Sequence, residues 1–134
     1  MTSQTQKAQV RYFKISAQRN LRTAEDLFKT KHYDSSLFFC HLTLEKILKG
    51  LVVQRTHQSA PYLHDLEKLA VYAGLLLDDE LRSQLRIIST FNIAARYDDI
   101  KINFYQRCTE KYATTHLAMT KKIYIWLKKS YQKK

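Results

Sequence analysis

Glycine and proline are almost missing from this chain: 134 residues contain only Gly50, Gly74 and Pro61. Tight turns between strands draw on Gly, Asn-Gly and Pro, because these reach backbone angles that other residues resist. A sandwich or barrel needs such turns at each strand reversal, so the sequence points to an all-α fold. Pro61 and Gly74 are its main punctuation, while Gly50 falls inside a helical pattern.

The apolar residues recur with helical period. Val10, Phe13, Ala17, Leu21, Ala24 and Leu27/Phe28 draw one stripe, which predicts a first helix from about Lys7 to Lys29. Lys31 to Tyr33 reads as a short connection, with Asp34 or Ser35 as N-cap of a second helix running to Arg55. That helix carries Leu37, His41, Leu44, Leu48 and Leu51, widened by Phe38, Cys40, Ile47 and Val52. So broad an apolar face suggests the most buried helix of the set. Glu45 and Lys49 stand four apart in the favourable order, worth about 0.3 kcal/mol if exposed.

Thr56 to Leu63 reads as the longest loop, followed by a short helix from His64-Asp65 to Ala73, stopped by Gly74. A fourth helix is expected over Asp78 to Ala95, its acidic start suited to the helix dipole. Arg96-Tyr97-Asp98-Asp99 marks a polar break. The last helix, Phe104 to Tyr131, is expected to bury Cys108, Tyr112, Met119, Ile123 and Trp126. Four long amphipathic helices with short connections pack best as an up-and-down four-helix bundle. With the short additional helix this makes five, in a single domain spanning residues 1–134.

An apolar share of 45% is enough for one core without disulfides or metal. Cys40 and Cys108 are far apart and read as small core residues of a cytoplasmic protein, although a disulfide between them is a matter of geometry. No apolar run reaches the roughly 18 residues of a membrane span. The net charge of +11, from 23 Lys and Arg against 12 Asp and Glu, favours polyanionic partners such as nucleotide, nucleic acid or an acidic protein, or serves only solvation.

Chemical motifs are scarce. A di-metal carboxylate bundle needs Glu-x-x-His on two helices, and no Glu here has a His three residues later. His41 and Glu45 lie one turn apart, but two ligands do not make a metal site. No cofactor is implied. Phosphate-cradling glycine loops are excluded by the glycine count, so any phosphate must be met by Arg and Lys side chains or helix N-termini. Among nine tyrosines, Tyr33, Tyr62, Tyr97, Tyr105 and Tyr131 lie near predicted ends or polar segments and are candidates for stacking on bases; the others are core candidates. Lys121, Lys122, Lys128, Lys129, Lys133 and Lys134 gather near the C-terminus.

Three pieces stand in a telling order. Tyr33-Asp34-Ser35-Ser36 leads into His41-Leu42-Thr43-Leu44-Glu45-Lys46-Ile47-Leu48-Lys49-Gly50-Leu51. A loop with Pro61 gives His64-Asp65-Leu66, and Phe91-Asn92 precedes Ala95-Arg96-Tyr97-Asp98-Asp99. Over residues 7 to 131 this resembles the HEPN family (higher eukaryotes and prokaryotes nucleotide-binding domain). The resemblance implies a helical up-and-down bundle, a homodimer, and a small prokaryotic protein paired with a minimal nucleotidyltransferase as a toxin–antitoxin couple. It also implies a nucleotide- or RNA-binding role. By matching position the candidate site comprises Glu45, Lys46, Lys49, His64, Asp65, Arg96 and Tyr97, with Arg96 and Lys49 as anion ligands. The same residues can instead serve the fold, with His64-Asp65 capping the short helix and Arg96 pairing with Glu45 or Asp98.

Some relatives are metal-independent ribonucleases that use Arg-x(4–6)-His across a dimer cleft. No Arg here has a His five to seven positions later, and Arg107 precedes His116 by nine. Whether the chain is an enzyme is therefore open: a ribonuclease using Arg96 with His64 or His116, or a non-catalytic dimeric adaptor, remain alternatives to a binding module.

Overall fold

Helix α1 (Ser3–Lys29) and helix α2 (Tyr33–Thr56) form an antiparallel hairpin. Gln6 near the start of α1 donates to the Val53 and Gln54 carbonyls, and the Ser36 hydroxyl donates to the Ala24 carbonyl at the other end. The computed structural model describes residues 1–93 and 97–131. After α2 come α3 (Leu66–Tyr72), α4 (Asp79–Ser89), α5 (Asp98–Arg107) and α6 (Glu110–Lys129), with no strand among the described residues.

Packing centres on α2. Its buried set, from Ser36 to Val53, runs around nearly the whole helix, and every other helix rests against it. A helix apolar on all sides belongs in the middle. Helix α6 runs along α2 in the same direction, since Cys40 meets Thr120 and Ile47 meets Tyr131. Both cysteines are free and buried. No helix among the described residues is long and apolar enough to cross a membrane.

Among the described residues six helices stand where five were expected. The segment Phe104–Tyr131 divides at Cys108 (φ −81°, ψ 72°), and the Thr109 hydroxyl caps α6 by accepting from the Tyr112 amide at 3.2 Å. Phe104, Cys108 and Tyr112 keep four-residue spacing across the break, so apolar period alone cannot reveal it. Asp98 and Asp99, read as a polar break, form the first turn of α5, where the dipole favours them. Helix α4 ends at Ser89, and the expected end at Ala95 lies outside the described residues: three-residue bonds from Thr90, Phe91 and Asn92 tighten the chain into a turn that still buries Phe91.

The start of α2 also differs from expectation. Lys31 adopts φ 66° and its amide donates to Phe28, while the His32 amide donates to Leu27. This left-handed residue reverses the chain at once, so the helix begins at Tyr33 with His32 as an uncapped N-cap, and neither Asp34 nor Ser35 caps it. On α6 the core face is rotated from the predicted one. Ala113, Leu117, Thr120, Ile123, Tyr124 and Leu127 are buried, whereas Trp126 is 40% exposed. Small Ala113 and Thr120 let the backbones approach, a role that bulk-based reading does not detect. Tyr131, expected at the surface, is buried, and Tyr33 is half-buried with its hydroxyl on Glu110 at 3.1 Å.

Candidate functional site

Helical spacing places His41, Glu45 and Lys49 one above another on α2, facing the loop before α3. Glu45 is the hub. Its carboxylate accepts from His64 Nδ1 at 2.8 Å on one oxygen and from Lys49 Nζ at 3.1 Å on the other, and its side chain is only 3% exposed. Burial alone would raise the Glu45 pKa, but the His64 hydrogen bond and the Lys49 charge outweigh it and hold the carboxyl below its usual range. The Glu45–Lys49 pair is thus internal, with Lys49 also buried.

His64 is fixed twice. Its ring is held by Glu45, and its carbonyl accepts from His41 Nε2 at 3.0 Å. A carbonyl can only accept, so His41 carries its proton on Nε2. Its buried Nδ1 has no hydrogen-bond partner among the described residues. Burial lowers the His41 pKa, which keeps the ring neutral. His64 Nδ1–H is committed to Glu45, so Nε2 of the half-exposed ring is the nitrogen left to accept when the ring is neutral. Tyr62 packs edge-on against this ring with centroids 5.8 Å apart, and Lys49 Nζ lies 6.0 Å from the Tyr62 centroid.

Of the residues expected here, Glu45, Lys49 and His64 come together. Asp65 adjoins them but turns to cap α3, accepting from the Lys68 amide at 3.0 Å. Lys46 points around the helix, its ammonium 6.0 Å from the Phe13 ring. Tyr97 is the exposed N-cap of α5 with no side-chain cap bond. Arg96 lies outside the described residues. His41 and Tyr62 join the cluster without having been expected in it; His41 was legible as the residue one turn before Glu45.

Cations with no carboxylate beside them among the described residues lie elsewhere. A groove of about 580 Å³ runs between α1, the C-terminal part of α2 and α6. Lys7, Arg11, Lys14 and Lys128 line it, with Val10 and Ile47 among its apolar walls and no carboxylate among the described residues that form it. The signal was present as basic residues at i, i+4 and i+7 of α1. A smaller cleft of about 320 Å³ gathers Arg107, Tyr112 and His116. The Tyr112 and His116 rings lie 4.1 Å apart, and the Arg107 guanidinium carbon is 6.0 Å from the Tyr112 centroid. His116 Nδ1 donates to the Tyr112 carbonyl at 2.8 Å.

The HEPN domain family matches residues 10–130 of the chain. The fold is similar to the crystal structure of TT1696 from Thermus thermophilus, with a TM-score of 0.74 and 21% identity over 91% of this chain and 98% of that one. No curated protein sequence matches.

Proposed function

The chain belongs to the HEPN family, and we propose that it is a nucleotide- or RNA-binding module that grips phosphates in the groove of α1, α2 and α6. The observation that carries this reading is the four-cation lining of Lys7, Arg11, Lys14 and Lys128, with no carboxylate among the described residues to neutralise it. Lys49, by contrast, has its charge balanced by Glu45. Cations spaced along one helix face suit a phosphate backbone, because successive charges can release successive counterions. The test is fluorescence anisotropy with labelled RNA and a nucleotide panel at several salt concentrations. Absence of binding at low salt rejects the reading.

A second reading, metal-independent RNA cleavage, is favoured by one observation. Arg107 and His116, too far apart in sequence for the usual motif, flank the same Tyr112 ring. Arg107 would steady charge on the phosphate while His116 Nε2 moves a proton. Incubating RNA with the wild type, R107A and R96A discriminates: no cleavage, or equal cleavage by all three, rejects both arginines. Family membership further supports a cytoplasmic homodimer, an up-and-down bundle, and pairing with a minimal nucleotidyltransferase as a toxin–antitoxin couple. Sedimentation and co-purification check the assembly claims.

A further inference from the structure

Tyr62 is an exposed tyrosine with two named neighbours. It is 93% exposed, yet its ring meets the His64 ring edge-on and lies near the Lys49 ammonium. His64 in turn is held by Glu45 through its ring and by His41 through its carbonyl. The result is a flat aromatic surface open to solvent, beside an imidazole that Glu45 holds by Nδ1, so that Nε2 is the nitrogen left over. Across the same loop, Tyr12 of α1 is 58% exposed and lines a cleft of about 530 Å³ with Ser59 and Ala60.

We propose that Tyr62 and His64 form a subsite for one unstacked nucleobase, so that the nucleic acid this module takes is single-stranded RNA. The inference rests on the RNA-binding reading of the basic groove and names the form of RNA that reading leaves open. The base lies on the free face of Tyr62, and a ring or exocyclic N–H of the base donates to His64 Nε2. Every RNA base presents such a donor, so the subsite reads single-strandedness, not sequence. Duplex bases are stacked and paired, and their edges are not available to a tyrosine on a helix-flanking loop.

The two sites are within reach of one strand. His57 lines the basic groove and Tyr62 follows it by five residues on the same loop. Even fully extended, that segment spans no more than roughly 18 Å. A strand whose phosphates run along Lys7, Arg11 and Lys14 therefore needs only a few nucleotides to bring a base to Tyr62.

The experiment uses the full chain, a labelled 12-mer single strand, its duplex, and a single strand carrying 2-aminopurine. The single strand is expected to bind at least tenfold more tightly than the duplex, and 2-aminopurine fluorescence is expected to fall on binding. Y62A should weaken the single strand by roughly tenfold, the scale of one lost base–aromatic stack, while Y62F should retain the affinity. Tyr62 is nearly all exposed, so Y62A is expected to leave thermal unfolding unchanged. Equal affinity for single strand and duplex, or full affinity in Y62A, overturns the subsite while leaving RNA binding standing. No binding of any RNA at low salt overturns both. A K7A/R11A/K14A variant that binds normally removes the groove, and the subsite then stands or falls on Y62A.

Discussion

The Tyr131 hydroxyl occupies the place where a side chain on Gly50 would begin. It donates to the Ile47 carbonyl at 2.5 Å, and a Cβ built on Gly50 would collide with it and lie 2.9 Å from Phe13 Cβ. The glycine in mid-α2 therefore serves close approach, not backbone angle. It lets the end of α6 and the face of α1 meet over α2.

G50A is accordingly expected to destabilise the protein, although alanine in a helix is intrinsically better than glycine by about 1 kcal/mol. Overpacking of a tight contact typically costs about 1–3 kcal/mol, which outweighs that gain. Urea unfolding measures the net effect. Y131F removes the oxygen that the new methyl would strike, so G50A/Y131F should lose less than the two single variants summed. Additive losses would show that Phe13, not Tyr131, sets the limit.

The buried Glu45–Lys49 pair gives a different expectation from a surface pair of the same spacing. E45Q leaves the Lys49 ammonium without its counter-charge and should cost about 3–5 kcal/mol, as breaking one side of a buried pair does. E45Q/K49M removes both charges and should recover much of that loss. If E45Q costs only a few tenths of a kcal/mol, as exposed helix pairs do, the pair is solvated in solution.

Acid should act in two stages. His41 has its pKa lowered by burial, so the unfolded chain binds a proton that the fold resists, and stability falls as pH drops through the unfolded value of 6.5. Glu45 and Glu67 are also lowered, Glu67 to about 2 through hydrogen bonds from Arg86 and Arg82. Their contribution is complete above the unfolded value of 4.5 and is lost as pH falls below it. Denaturation midpoints measured from about pH 7.5 to 3 should show both stages. H41Q, which keeps a donor for the His64 carbonyl and does not titrate, should flatten the first stage and leave the second.

The helical class, the central burial of α2 and the meeting of Glu45 with His64 were legible because each depends on local period or on a recognisable order of motifs. The division between α5 and α6 was not, since Thr109 interrupts the backbone while Cys108 and Tyr112 preserve the apolar spacing. Trp126 and Tyr131 exchanged places for a related reason: bulk marks candidates for burial, but small residues such as Thr120 and Gly50 decide where helices approach. The basic groove was written into α1 as Lys7, Arg11 and Lys14. It emerged as a site only when Lys128, more than a hundred residues later, was brought to its rim.

That convergence has a measurable consequence. If phosphates lie along the groove, each lining cation contributes to counterion release, and the logarithm of affinity should fall with the logarithm of salt with a slope of about −0.7 per single-strand phosphate contact. Replacing Lys7, Arg11 and Lys14 by alanine should weaken RNA binding at low salt and flatten that slope by roughly two units. A charge-neutral change at the same face, such as Q18A, should alter neither. A steep slope that survives the triple substitution would move the phosphate contacts to the lysines near the end of α6, among them Lys128, which K128A then tests directly. The slope separates the alternatives more cleanly than affinity alone, because loss of a base stack at Tyr62 lowers affinity without changing the number of ions released.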